Sequence, residues 1–138
     1  MTPDEPHIHP IGTVRSPLRT LAEAPRQGNE GAPDAWLALR EEVAAATEGI
    51  VVGDEIIVLT WLHETRRDVL RVHPRDDLNR PLTGVFATRS SDRPNPIGLH
   101  RVRVLDVRPG EIKVGPLEAI DGTPIVDIKP VLSAAADH

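Results

Sequence analysis

Apolar and polar positions alternate along this chain in short bouts, none long enough for a large helix. The run EIIVLTWL, Glu55 to Leu62, is almost continuously apolar and β-branched at its start, which predicts a strand covered on both faces. LHRVRVLDV, Leu99 to Val107, alternates instead, with Val102 and Val104 on one face and Arg101 and Arg103 on the other. The alternation slips at Leu105, the mark of a bulge. Shorter strands are predicted at Ile8 to Val14, Trp36 to Leu39, Val69 to His73, GVFAT (Gly84 to Thr88), EIKVG (Glu111 to Gly115) and TPIVDIKPV (Thr123 to Val131). Arg40 to Glu48 reads as a helix of about two turns, stopped by Gly49. The proline and glycine density of APRQGNEGAP, Ala24 to Pro33, makes it a loop.

Six or seven short strands with one brief helix, and no βαβα spacing, predict a mainly β fold, an antiparallel barrel or sandwich and not a doubly wound sheet, in one domain spanning residues 1–138. No Gly-x-Gly-x-x-Gly follows a strand and there is no Walker loop, so a Rossmann-type nucleotide site is not expected.

Charge and composition narrow the chemistry. The formal net charge of −5 argues against a general affinity for nucleic acid and leaves room only for a local basic patch. Phe86, Trp36 and Trp61 are the sole aromatics, too few for a base-stacking platform. Without cysteine there is no disulfide, thiolate or Cys-ligated metal chemistry, which suits a reducing compartment. The acidic, proline-rich start and the lack of a long apolar run predict neither secretion nor a membrane helix, and make the cytoplasm the expected location.

Four stretches carry candidate chemistry. In ATRSSDRPNPIGL, Ala87 to Leu99, Pro94 and Pro96 fix their own φ and push Arg93 and Asn95 into extended backbone. Arg89, Asp92, Arg93 and Asn95 thus cluster on a stiff corner, which fits a carboxylate or phosphate clamp as well as a plain strand entry with surface arginines. Pro25, Arg26, Gln27 and Gly28 combine a forked cation with an amide in a loop, and His63-Glu64 ends the apolar strand. Asp121-Gly122 is a turn signal ahead of the last strand. The pairs His7 with His9, and His63 with His73, have no third ligand, so no metal site is expected.

In order along the chain, IGTVRSP (Ile11 to Pro17), PRQ (Pro25 to Gln27), His63, GVFATRSSDRPNPIGL (Gly84 to Leu99) and DGTPIVDIKP (Asp121 to Pro130) resemble the TsaA/TrmO-type S-adenosylmethionine-dependent tRNA methyltransferases. The resemblance implies a β-barrel cofactor domain, a homodimer, and methyl transfer to N6 of threonylcarbamoyl-adenosine beside the tRNA anticodon. It implies a cofactor pocket of Pro25, Arg26, Gln27, His63, Glu64, Arg89, Leu99 and the turn Asp121, Gly122, Thr123 and Pro124. His63 or Asp121 would assist loss of the acceptor's proton. Glu64 stands where an amide is common in that family, and members acting on tRNA often carry a further C-terminal domain. A small-molecule or peptide acceptor, or a cofactor-binding module without turnover, are the alternatives.

Overall fold

The computed structural model describes residues 5–26 and 28–132. Six strands close into an antiparallel barrel: β1 (Gly12–Arg15), β2 (Ala35–Leu39), β3 (Glu55–Trp61), β6 (Ile97–Arg108), β7 (Glu111–Gly115) and β8 (Pro124–Pro130). Their order around the wall is β1-β2-β7-β6-β3-β8, with β8 returning to β1. Two further strands, β4 (Arg71–Val72) and β5 (Thr83–Gly84), form a separate two-stranded sheet within the long excursion between β3 and β6.

Period-two patterning builds the interior. Val14, Leu37, Ile56, Val58, Val102, Val104, Ile112, Val114 and Ile125 all point inward and are buried, and Leu117 and Ala119 close the same cluster. The slip at Leu105 is a register shift between Val104 and Asp106 against β7, which keeps Val104 inside while the rest of β6 turns. The mainly β architecture thus matches the expectation from patterning, and of barrel and sandwich it is the barrel that the resemblance implied.

Several element assignments differ. β3 alternates between buried and half-buried positions, so the strand is fully covered on one face only. In a single closed layer the outer face has no second sheet above it, and the odd apolar residues Ile57, Leu59 and Trp61 remain part-exposed there. The predicted helix is a 3-10 segment, Glu41–Thr47, with no buried residue and no side-chain cap. Seven residues without an apolar face to bury give too little to offset helix nucleation. The first strand begins at Gly12, since Pro10 has no amide to donate, and Ile11 makes the first bond to Ile125 O at 2.8 Å. Val69 to His73 shortens to the two residues of β4.

GVFAT departs furthest: only Gly84 belongs to a strand, and Val85–Ala87 is a 3-10 turn. The Val85 carbonyl accepts from the Thr88 amide, the Thr88 hydroxyl and the Arg93 guanidinium, so it has no place in a ladder.

Closure at β1 depends on Gly12. A Cβ there would lie 2.2 Å from Ala38 O and 2.9 Å from Leu39 Cα, both backbone atoms of the paired strand. Gly12→Ala is therefore expected to lower stability by about 1–3 kcal/mol, the range for overpacking. Urea unfolding checks this, with a lower midpoint and an unchanged slope expected.

Candidate functional site

Toward one end of the barrel the interior changes from apolar to polar. Thr60 on β3, His100 on β6 and Thr123 just before β8 are all buried there. The excursion and the loop before β2 flank this end and leave a cleft of about 1310 Å³. That exceeds the roughly 300–1,000 Å³ usual for small-ligand pockets, so a second group fits beside a ligand.

Of the expected cofactor residues, Pro25, Arg26, His63, Arg89, Leu99 and Thr123 line this cleft. Residues more than 60 positions apart are thereby brought together. Glu64, Asp121, Gly122 and Pro124 do not line it. Asp121 Oδ1 instead accepts the Ser16 amide at 3.0 Å, its own amide donates to Leu18 O at 2.7 Å, and the Gly122 amide donates to Val14 O at 2.8 Å. The turn is tied to the end of β1, and it is the residues just before it, Glu118, Ala119 and Ile120, that face the cleft. Gln27 lies outside the described residues.

The arginines of the stiff corner divide their work. Arg93 donates to three backbone carbonyls, Val85 (2.9 Å), Thr88 (3.1 Å) and Ser90 (3.0 Å), and its guanidinium stands 6.0 Å from the Phe86 ring centroid. Its fork shapes the loop. Arg89, carried by that loop, is exposed to the cleft and makes no hydrogen bond or ion pair among the described residues.

The corner itself is clamped from the excursion. Arg67 donates to Pro94 O at 2.9 Å and Asn95 Oδ1 at 3.3 Å, while the Arg66 amide donates to Asp92 Oδ1 at 2.8 Å and the Arg93 amide to Arg66 O at 3.0 Å. Two crossed ion pairs, Arg26 with Asp76 and Arg75 with Glu30, each 2.6 Å, join the loop before β2 to the excursion.

Two participants escaped the sequence reading. His100 is the next inward position before Val102 on β6, and the period-two phase that placed Val102 and Val104 inside places it there too. Its Nδ1 lies 2.5 Å from Glu118 Oε1 and its Nε2 2.7 Å from Thr60 Oγ1. A carboxylate only accepts, so Nδ1–H donates to Glu118, while Nε2 shares its hydrogen bond with the Thr60 hydroxyl. Glu118 had no sequence signal, because its part depends on a partner 18 positions away.

His100, Glu118 and Leu99 also border a second, smaller cleft of about 660 Å³. There the Arg101 guanidinium, hydrogen-bonded to Glu55 and helped by Arg103, holds the Glu55 carboxyl below its ordinary range. Those outer arginines are already paired. No group of three or more metal-ligating side chains gathers among the described residues, and no helix among them is long and apolar enough to cross a membrane.

The family model described as tRNA-methyltransferase O N-terminal domain matches residues 13–137. A probable S-adenosyl-L-methionine-binding protein of Methanothermobacter thermautotrophicus is 44% identical over 131 residues, covering 94% of this chain and 93% of that protein. The tRNA (adenine(37)-N6)-methyltransferase of Escherichia coli is 35% identical, covering 91% of this chain and 57% of the enzyme. The crystal structure of TrmO from Pseudomonas aeruginosa superimposes with a TM-score of 0.74 at 29% identity, covering 97% of this chain and 60% of that one. The chain thus spans about 60% of the length of the solved TrmO chain.

If Arg93 shapes the loop that carries Arg89, Arg93→Ala should cost about 1–2 kcal/mol, the low end for charge-assisted bonds at a part-exposed site. Hydrogen exchange checks the locality: the Thr88 amide should lose protection while amides of β3 and β8 keep theirs.

Proposed function

The chain belongs to the tRNA-methyltransferase O N-terminal domain family, and from that premise we propose that its cleft binds S-adenosylmethionine and that the protein transfers the donor methyl to a nitrogen acceptor. The observation that carries this reading is Arg89: an exposed guanidinium that lines the cleft with no hydrogen bond or ion pair among the described residues, on a loop whose shape another arginine fixes. A planar fork of that kind suits a carboxylate. Glu118, which also lines the cleft, suits a cation, and Leu21, Leu62 and Phe86 supply apolar surface for a flat ring. A molecule that is cationic at sulfur, carries an amino-acid carboxylate and ends in adenine fits that donor set.

The residues proposed to hold it are Pro25, Arg26, Gln27, His63, Glu64, Arg89, Leu99 and the segment Asp121 to Pro124. Those that line the cleft make the stronger case, and Glu118 to Ile120 join them. When bound, S-adenosylmethionine supplies a methyl group on a sulfonium, whose sulfur leaves as a neutral thioether. The chain's own task is alignment, since holding two reactants in line supplies up to roughly 7–11 kcal/mol of the barrier. The cleft has volume for an acceptor beside the donor.

The acceptor nitrogen must also lose a proton. His63, which is exposed and lines the cleft, is the residue proposed to take it. Asp121 is a weaker candidate, its carboxylate being engaged by the Ser16 amide away from the cleft.

The proposed acceptor is N6 of threonylcarbamoyl-adenosine next to the tRNA anticodon, as the family resemblance implies; the Escherichia coli relative, named a tRNA (adenine(37)-N6)-methyltransferase, supports an adenine N6 in tRNA. A tRNA acceptor places the protein in the cytoplasm. A homodimer is also expected of the family; the outer face of β6 carries Leu105 and Val107 as exposed apolar residues beside the ion-paired Arg101 and Arg103. The names of the archaeal relatives, which specify binding alone, favour a second reading in which the acceptor is a small molecule or peptide, or absent.

S-adenosylmethionine and its demethylated product should each raise the melting temperature, and Arg89→Ala should abolish the shift while leaving the ligand-free melting temperature within about a degree, as for a surface substitution. No shift at saturating ligand would sink the cofactor reading. Incubation with methyl-labelled cofactor and tRNA separates the acceptors: label in tRNA carrying threonylcarbamoyl-adenosine, and none in unmodified tRNA, is the expected result.

A further inference from the structure

Most charged side chains along the larger cleft are already engaged by the protein. Arg26 is hydrogen-bonded to Asp76 and Arg75 to Glu30, each at 2.6 Å. Arg93 donates to three loop carbonyls, the Asp92 carboxylate accepts the Arg66 amide, and Glu118 accepts from the His100 ring. The His73 ring donates to the Arg80 carbonyl, and His63 is the proposed proton acceptor. What remains along the cleft, among the described residues, is two guanidinium groups without a hydrogen bond: Arg89 and Arg80.

Arg80 stands on a stiff stretch of the excursion. Its amide donates to Asp77 O at 3.0 Å and its carbonyl accepts from the His73 ring at 2.9 Å. Pro81 follows it and narrows its backbone choices, and the Thr83 hydroxyl donates to the Pro81 carbonyl at 2.8 Å. The main chain is thus held while the fork is not. The carboxylate beside it, Asp77, has Oδ1 engaged by the Asn79 amide at 2.9 Å, and its Oδ2 stands 3.7 Å from Arg80 Nε, beyond hydrogen-bond reach. Asp77 does not line the cleft, whereas Arg80 does.

We propose that Arg80 binds an anionic group of the acceptor, so that the cleft selects acceptors which bring a carboxylate or a phosphate with them; the inference rests on the reading of the cleft as a donor site. Two open forks there meet a donor with a single carboxylate, which Arg89 takes. The rest of the donor's charge, a sulfonium and an ammonium, is positive and offers a second guanidinium nothing. A cation left over beside such a ligand is unfavourable unless a further anion arrives, and the cleft has volume for the acceptor that would carry it. A planar fork takes carboxylate and phosphate alike in two parallel hydrogen bonds. The threonylcarbamoyl group of the acceptor proposed above ends in a carboxylate and an RNA chain carries phosphates, so the one chemistry has two sources.

The test uses an anticodon stem-loop RNA in three forms, carrying threonylcarbamoyl-adenosine, its methyl ester or plain adenosine, titrated calorimetrically into protein saturated with the demethylated cofactor. If the anion is the threonyl carboxylate, the wild type should bind the acid roughly tenfold more tightly than the ester, the scale of one charge-assisted contact at an exposed site, and Arg80→Gln should bind the two alike. If it is a backbone phosphate, acid and ester should bind alike in the wild type, and Arg80→Gln should weaken all three RNAs by one common factor with a shallower salt dependence. On either pattern Arg80→Gln should bind the demethylated cofactor as the wild type does and melt within about a degree of it, as for a surface substitution. Unchanged affinity for all three RNAs in Arg80→Gln, or a loss of cofactor affinity in that variant, would overturn the assignment. Wild-type protein that takes the demethylated cofactor but none of the RNAs would overturn it as well, and protein that takes neither would remove the donor site together with it.

Discussion

A six-stranded barrel has no room for chemistry in its middle. The inward residues Val14, Leu37, Val58, Val104, Ile112, Val114 and Ile125 fill it completely, each buried to the last per cent or so, and at interior packing density a polar side chain among them would have no partner. Polar function must therefore sit where the layers of side chains run out. Thr60, His100 and Thr123 mark that level, on β3, β6 and the turn into β8, and the cleft opens beside it. Every other feature of the site answers to this constraint. The excursion between β3 and β6 leaves the wall on one side of the opening and returns on the same side, so that one loop supplies a flank without threading the barrel.

The stiffness of the Pro-Asn-Pro corner follows from the same geometry. β6 must start deep enough for Gly98 and His100 to fall inside, while the residues just before it face the cleft. Pro96 is buried and its carbonyl accepts the Leu62 amide at 2.8 Å, so the excursion is closed on itself where it meets the barrel. Beyond this closure Arg67 and Arg66 grip Pro94, Asn95 and Asp92. Of the two arginines in the motif one is structural and one is available, and the difference lies in what surrounds them rather than in the residue type. Arg93 has three carbonyls within reach because the 3-10 turn Val85–Ala87 and the bend after it bring the carbonyls of Val85, Thr88 and Ser90 to one guanidinium; Arg89, on the same loop, lines the cleft and has no hydrogen bond or ion pair among the described residues.

How much of this was legible in the sequence depends on the range over which each signal acts. Strand phase is local, so Val102 and Val104 were assigned to one face, which is the buried one, and the bulge at Leu105 was visible as a break in alternation. Coverage of the outer face is not local, which is why the apolar run of β3 suggested burial on both faces when one remains part-exposed. The order of motifs located Arg89, His63 and Pro25 at a common cleft. It could not indicate that the Asp121 turn is held by Ser16 and Leu18 while Glu118 takes the facing position, because that choice is made by backbone pairing with the end of β1. His100 was within reach of the same period-two argument that placed Val102, had the phase been followed two residues further back.

The charge around the opening bears on what kind of acceptor the cleft can admit. Arg26 and Arg75 are paired crosswise with Asp76 and Glu30, and Arg75 and Asp76 both hold positive φ, 56° and 57°, a conformation uncommon outside glycine. The two-residue turn is thus shaped to present opposite charges toward one loop. A polyanion arriving at this edge would compete with Asp76 and Glu30 for the two guanidinium groups, and exposed ion pairs of this kind, worth at most about 1 kcal/mol each, yield readily to phosphate. With a net charge of −5 over the chain, attraction for RNA would have to be generated locally in this way, by exchange of carboxylate for phosphate at arginines already in position. A neutral small acceptor would leave both pairs intact and reach the cleft past them. The same rim can therefore serve either class of acceptor, and the state of those two ion pairs in the bound complex is what physically distinguishes them.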